Sequence, residues 1–265
     1  MKVSFEYGTG LMDADLPEET DVFVPGETTQ DPPFLQDVVA STRESILHPL
    51  GMEPISKIAK KGHKAVIIFP DRVKGGEQPT SHRKVSIPIL IDELVKSGVN
   101  KSDILLICSN GLHRKNTKEE IFNILGPDVF NEFWPSGQIM NHDSEDYDHL
   151  VDLGTTERGD PVLMNKYVYD ADIAILVGHA LGNPYGGYSG GYKHCSTGIT
   201  HWKSIASHHS PEVMHRSDFL PVSHSSMMRL KFDEIGMHME KCMNKKFFVC
   251  DAVLDTKNRQ IAIFS

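Results

Sequence analysis

Nowhere does this sequence run apolar for the ~18 residues that a membrane-crossing helix needs, and its first residues lack the pattern of a secretory signal. It has no Cys-x-x-Cys pair. Its four cysteines (Cys108, Cys195, Cys242, Cys250) belong to a chain of 265 residues, large enough to bury a core without disulfides, so reduced thiols and a cytoplasmic setting are expected. Basic residues are in deficit: 27 Lys and Arg stand against 36 Asp and Glu, a formal net charge of −9 that leaves no basic stripe for a nucleic acid. Fourteen histidines invite a metal reading, but no His-x-x-x-His or His-Glu-x-x-His spacing occurs, which argues against an ordinary zinc-hydrolase site. No internal repeat or low-complexity tract is evident. The expected partners therefore include neither membrane nor nucleic acid.

What is present is a set of apolar runs, each leading into a polar, glycine-containing segment. Ala65–Phe69 runs into Pro70-Asp-Arg-Val-Lys-Gly-Gly76, and Ile104–Cys108 runs toward Asn110-Gly-Leu-His-Arg114. Ile173–Val177 opens onto Asn183-Pro-Tyr-Gly-Gly-Tyr-Ser-Gly-Gly-Tyr-Lys193, with His209 sixteen residues further on. Apolar runs alternating with helical patterns favour an α/β fold, a mostly parallel, Rossmann-like sheet with flanking helices and a site at the carboxyl ends of its strands. Helices are expected at about Phe34–Leu47, Ile55–Lys61, Ser86–Ser97, Thr117–Leu125 (Thr117 as N-cap, with Glu120 three residues on) and Met228–Met243. Further strands are expected at Asp21–Pro25, Pro161–Met164, Phe247–Leu254 and Ile261–Phe264, the last two joined by a turn at Asp255–Asn258. The acidic stretch Asn141–Asp152 reads as a surface loop or short helix. Glycine-loop N–H groups suit a phosphate, and a phosphate-bearing small molecule with a small anionic substrate is the expected cargo.

Taken together, Pro49-Leu-Gly51, Asp71-Arg-Val-Lys74, Gly-Leu-His-Arg114, Asn141-His-Asp143 and Gly-Gly-Tyr-Ser-Gly-Gly-Tyr-Lys193, in this order and at compatible intervals, resemble the N-terminal domain of the nickel-dependent lactate racemase family. The similarity runs from about Tyr7 to Phe264. It implies that residues 1–265 form one such domain, with the family's C-terminal domain absent from this chain, which stops directly after a strand. It implies a racemase or epimerase of 2-hydroxy acids that works by hydride transfer, with a nickel pincer nucleotide derived from a pyridinium mononucleotide. By resemblance Lys193 is the tethering lysine, with Asp71, Gly187, Ser189, Gly190 and Gly191 at the cofactor. His209 falls where the family has its imidazole ligand to nickel, and His113 matches the histidine that takes the hydroxyl proton. Lys74, Arg114 and Asn183 are the candidate substrate contacts, Lys74 standing where the family has arginine.

The chemistry of the residues agrees with those roles. Removing hydride from a hydroxy acid leaves a carbonyl only if the hydroxyl proton departs too, and histidine suits that transfer. A substrate carboxylate needs a fixed cation, and lysine supplies a point charge without arginine's fork. Imidazole is a natural nickel ligand. The family's second histidine, ten residues before the tethering lysine, is here Asn183, which cannot titrate. Either a neighbour such as His179 substitutes or the site works on one face with another base. With the extra residues Gly75–Arg83, this points to a hydroxy acid other than lactate. Two other readings stand beside it: a nucleotide- or anion-binding module lacking its second domain, and a zinc lyase or hydrolase that the histidine spacings disfavour. A homo-oligomer or a separate C-terminal domain is the expected macromolecular partner.

Overall fold

The computed structural model describes residues 1–8, 10–24, 26–215 and 226–265. Residues 1–32 form a unit of their own, a hairpin in which Lys2–Tyr7 pairs antiparallel with Gly10–Asp15. Residues 21–24 carry no strand where one was expected, and Pro25 lies outside the described residues.

The unit Pro33–Ser265 is built on a six-stranded sheet. Its strands are β1 (Ala65–Phe69), β2 (Ile104–Cys108), β3 (Ile139–Asn141), β4 (Ile173–Ala180), β5 (Phe248–Leu254) and β6 (Gln260–Phe264). Their spatial order is β6-β5-β4-β1-β2-β3, parallel throughout except for antiparallel β6. Read from β3, this is the 3-2-1-4-5-6 order of a Rossmann-type doubly wound sheet, whose switch point lies between strands 1 and 4. The apolar runs are continuous because both faces are covered. Ile67, Phe69, Leu106 and Ile175 pack on one face, and Val66, Ile68, Ile107 and Leu176 on the other.

The first face lies against α1 (Val38–Leu47), α2 (His82–Lys96), α3 (Lys118–Leu125) and α4 (Pro127–Phe133). The second is covered partly by α5 (Tyr192–Gly198) and α7 (Met227–Met243), with α6 (Trp202–His208) following α5 in the chain. Thr117 caps α3 in a reciprocal capping box with Glu120, as the sequence signals. Asp37 starts α1 four residues later than expected, its carboxylate accepting from the Ala40 N–H. Helix α2 begins at His82, not at Ser86, so the end of the extra segment 75–83 is helical, and His82 and Arg83 are buried in the first turn.

Pro161–Asn165 is a strand but stands outside the central sheet, paired antiparallel with Leu150–Thr155. That partner strand occupies the end of the stretch read as loop, because Val151 and Leu153 alternate with polar residues at too short a span to register. Among the described residues no helix is long and apolar enough to cross a membrane. All four cysteines are unpaired, Cys242 alone being exposed.

Candidate active site

Strand β1 last pairs with β4 at Ile68 and Leu176, whereas β4 continues to Ala180. The chains diverge there, at the switch point, and a cavity of about 360 Å³ opens at the carboxyl ends. Its lining includes Asp71 and Lys74 from the segment after β1, Ser109 and His113 after β2, and His179 on β4. Ser189, Gly190, Lys193, His194 and His209 complete this part of it. Three polar segments that lie far apart in sequence thus converge on one space.

Asp71 is 3 % exposed and its Oδ2 accepts from His113 Nδ1 at 2.6 Å. That bond fixes the tautomer and leaves Nε2 of a half-exposed ring available as a proton acceptor. Asp71 is held in turn by Arg83, a fully buried guanidinium that meets no carboxylate at ion-pair distance among the described residues. Arg83 Nη1 donates to the carbonyls of Pro70 (2.9 Å) and Asp71 (2.5 Å), and Nη2 donates to Gly76 (2.6 Å). The extra segment thus serves as a clamp on the loop that carries Asp71 and Lys74.

The glycine loop is clamped from the opposite side. Arg229 Nε donates to the Gly186 carbonyl at 3.0 Å and Nη2 to that of Tyr188, and the guanidinium stacks 3.8 Å from the Tyr188 ring. Asp251, on β5 opposite Gly178, accepts from the Gly191 N–H at 2.7 Å. Gly190 takes φ +86°, and a Cβ there would meet the Asp251 carboxylate at 2.6 Å. Ser189 donates to the His179 carbonyl (2.8 Å), while its N–H goes to Leu181. The expected phosphate cradle is therefore revised at Ser189 and Gly191, whose N–H groups are spent within the protein. Gly187 lies outside the cavity, paired with Asn183 in a two-residue ladder.

What the loop presents is Lys193. Its ammonium pairs with no carboxylate among the described residues and lies 5.7 Å from the Phe232 ring centroid. Burial, with Lys74 and Arg229 nearby, pushes its pKa down to about 7, so a large share is neutral amine at neutral pH. Two further histidines border this space. Burial, then the charges of Lys193 and Lys74, holds His194 down at about 3; its Nε2 shares a hydrogen bond with Ser109 Oγ. His209, which lines the cavity, bonds through Nδ1 to His208 Nδ1 (2.8 Å), and its Nε2 has no hydrogen-bond partner among the described residues.

Arg114 and Asn183, expected at the substrate, stand outside this lining. Arg114 makes a two-point ion pair with Glu120 (2.9 and 2.6 Å), an anion supplied by its own capping box. Asn183 Oδ1 accepts from Tyr185 N (3.1 Å) and Gly186 N (2.7 Å), the local turn that asparagine commonly makes. His142 is buried and donates from Nε2 to the Thr200 carbonyl, a structural role. Sequence reasoning left Arg83 undecided between binding and a flexible insertion, missed Arg229 and Asp251, and passed over Ser109 and His194, although Ser109 adjoins Asn110 and His194 adjoins Lys193.

A family model described as the lactate racemase N-terminal domain matches residues 7–219. The chain is 27 % identical over 225 residues to a lactate racemase from Lactiplantibacillus plantarum, covering 85 % of this chain and 50 % of that protein. It is 26 % identical over 234 residues to a lactate racemase from Thermoanaerobacterium thermosaccharolyticum, covering 87 % and 50 %. The chain thus spans about half the length of the curated relatives it matches. Among solved structures, the lactate racemase apoprotein from T. thermosaccharolyticum superposes with a TM-score of 0.76 at 22 % identity, covering 100 % of this chain and 58 % of that one. A crystal structure of a Thermotoga maritima protein gives 0.64 at 16 %, covering 85 % and 52 %. At these identities the superpositions speak for the fold.

Proposed function

This chain belongs to the family of lactate racemase N-terminal domains, and from that premise we propose that it is the cofactor-bearing part of a racemase or epimerase of 2-hydroxy acids. The cofactor we infer is a nickel pincer nucleotide tethered to Lys193. The observation that carries this reading is the buried Lys193 amine, in no ion pair among the described residues and about half neutral near pH 7, in one cavity with His113 and His209. A tether forms through a neutral amine, and an ordinary exposed lysine is almost wholly protonated. Among the described residues no three His, Cys, Asp or Glu side chains are grouped to hold a metal, so nickel there would need donors brought by the nucleotide. His209, whose Nε2 has no partner among the described residues, suits the one protein ligand.

When bound, such a group supplies a hydride acceptor at the α-carbon. The chain's own residues supply the rest. Lys74 anchors the substrate carboxylate as a point charge. His113 takes the hydroxyl proton on Nε2, and Asp71 keeps the ring in that tautomer and stabilises the imidazolium once formed. The withdrawn Asn183 and the clamp made by the 75–83 segment favour a hydroxy acid other than lactate.

Intact-mass analysis of the chain from cells that make the cofactor tests the reading. An adduct that disappears in Lys193→Ala, with one equivalent of nickel, is the expected result. The gathering of Lys74 and Lys193 in one cavity favours one alternative, a module that binds a nucleotide or another anion without turnover. Unmodified protein that binds a mononucleotide would select that alternative; stoichiometric zinc would overturn both.

A further inference from the structure

The lysine that the glycine loop presents differs from the other cations around the site in its surroundings. Arg83 and Arg229 spend donors on backbone carbonyls. Arg72 and Arg114 both meet the Glu120 carboxylate. Lys193, on the first turn of α5, lines the cavity and enters no ion pair among the described residues, with the buried Phe232 ring of α7 beside its ammonium. An ammonium so placed has little to hold its proton, and a primary amine that has lost it is a nucleophile. Lys74 lines the same cavity, also outside any ion pair among the described residues, and its charge bears on Lys193. A desolvated lysine beside a second cation is a general arrangement for activating an amine toward carbonyl compounds.

The second cation also selects the carbonyl compound. With one lysine acting as the amine, the other is left to take an anion, and the anion must sit close to the carbonyl because both lysines line one small cavity. We propose that in the cofactor-free chain Lys193 forms an imine with a 2-oxo acid, whose carboxylate lies on Lys74 and whose carbonyl carbon meets the Lys193 amine. The inference goes beyond the racemase reading and needs no nickel. It concerns the same nitrogen, which holds a nucleotide tether or an imine but not both, so a 2-oxo acid would compete with loading of the cofactor.

The step balances within the cavity. The Lys193 nitrogen gives its lone pair to the carbonyl carbon, the π pair of the C=O bond moves to oxygen, and that oxygen takes a proton from the His113 imidazolium. The nitrogen then returns a proton to the imidazole. In the second half the carbon–oxygen bond breaks, the hydroxyl leaves as water with the His113 proton, and the nitrogen lone pair closes the C=N bond. One amine, one carbonyl and one proton become a protonated imine and water, with nothing oxidised or reduced. The product is a cation, as the ammonium was, but it carries a carboxylate with it, so the buried charge is now paired.

Trapping tests this on the chain purified without cofactor. With pyruvate and cyanoborohydride near neutral pH, peptide mass mapping should find one carboxyethyl group, on Lys193, formed about tenfold or more faster than on any exposed lysine. Lys193→Arg should remove it. Label spread evenly over the lysines of the parent would overturn the proposal. Lys74→Gln leaves the amine in place and tests the anchor: trapping of pyruvate should slow about tenfold more than trapping of propanal, which has no carboxylate. An equal change with both compounds would overturn the placement of the carboxylate on Lys74. A second readout uses no reductant. A protonated imine acidifies the neighbouring C–H bonds, so the methyl hydrogens of pyruvate should exchange in D2O faster with the parent than with Lys193→Arg. Equal exchange with the two proteins would overturn the imine. A cofactor adduct on Lys193 from cells that make the cofactor, with no imine in the unloaded chain, would sink this proposal and leave the racemase reading standing; an imine without any such adduct would do the opposite.

Discussion

On the β1–β2 side of the crevice an imidazole is joined to a carboxylate: His113, its side chain 57 % exposed, bonds Asp71 at 2.6 Å. On the β4–β5 side His194 and Asp251 meet at Gly178, His179 follows it in the strand, and two nitrogens and an oxygen are left over. His179 Nε2, His194 Nδ1 and Asp251 Oδ1 are all buried without partners among the described residues. A Cβ on Gly178 would lie 3.3 Å from His194 Nδ1 and collide with the Asp251 carboxylate, which is why glycine stands there. The same residue types are thus used in two ways. The first pair reaches solvent and is arranged to hold a proton when one arrives. The second group is desolvated, which lowers both histidines and raises Asp251 to about 6, so that every member is driven toward its neutral form. At neutral pH the two histidines are uncharged and add no cation beside Lys74 and Lys193, whereas Asp251 becomes neutral only as the pH falls below about 6.

The largest expected effect comes from breaking the joined pair at its base. His113→Asn should cut turnover by ~10²–10⁴-fold while leaving the mass adduct on Lys193 intact, since a tether does not need the base. Turnover equal to the parent on every 2-hydroxy acid tried would remove the distinction between the two walls. Asp71→Asn should cost less, about 10²-fold in kcat. The ring can still act, but it loses the carboxylate that selects its tautomer, and solvent at a half-exposed ring replaces part of that support. If Asp251→Asn lowers kcat as much as Asp71→Asn, the two carboxylates are doing the same job and the comparison fails.

A third test separates the walls by stability. Arg83 is the support of the β1 side, and Arg83→Met strips donors from three loop carbonyls. At about 1 kcal/mol or more for each buried acceptor left unsatisfied, a loss of about 3 kcal/mol is expected in urea unfolding. Arg83→Lys should recover part of it, since one ammonium can reach fewer of the carbonyls.

These supports mark the limit of what the sequence discloses. The parallel sheet, the capped α3 and the three converging segments are legible because apolar runs, Thr117–Glu120 and glycine clusters are local signals. Asp71, Lys74, His113 and Lys193 stand in such segments, His209 comes from the family resemblance, and the fold gathers all five at one cavity. Asp251 carries no such mark: it lies inside the alternating strand β5, and its place over Gly178 is set by a register between segments about seventy residues apart. Arg83 stays undecided in the sequence because its acceptors are backbone carbonyls, which have no residue identity to read. Arg114 and Asn183 illustrate the converse. Both stand in the right segments, yet Glu120 and the Tyr185–Gly186 turn are nearer partners than any ligand.

The smallest expected effect concerns the pH dependence of the β4–β5 wall. In the unfolded chain the Asp251 carboxyl ionises near its ordinary 3.8, and in the folded chain near 6, because burial penalises the carboxylate more than the Gly191 N–H supports it. Between those values the folded state holds more protons than the unfolded one. The stability from this group is therefore complete below pH 3.8 and is lost as the pH rises through 6. Asp251→Asn keeps an acceptor for Gly191 but cannot ionise. It should be indistinguishable from the parent at pH 4 and more stable on the order of 1–2 kcal/mol at pH 7, the gain discounted for the weaker bond to a neutral amide. Urea midpoints at pH 4, 5, 6 and 7 measure the difference directly. A gain that is constant with pH would mean that Asp251 is not held neutral by burial, and the contrast with Asp71 would then rest on hydrogen bonding alone.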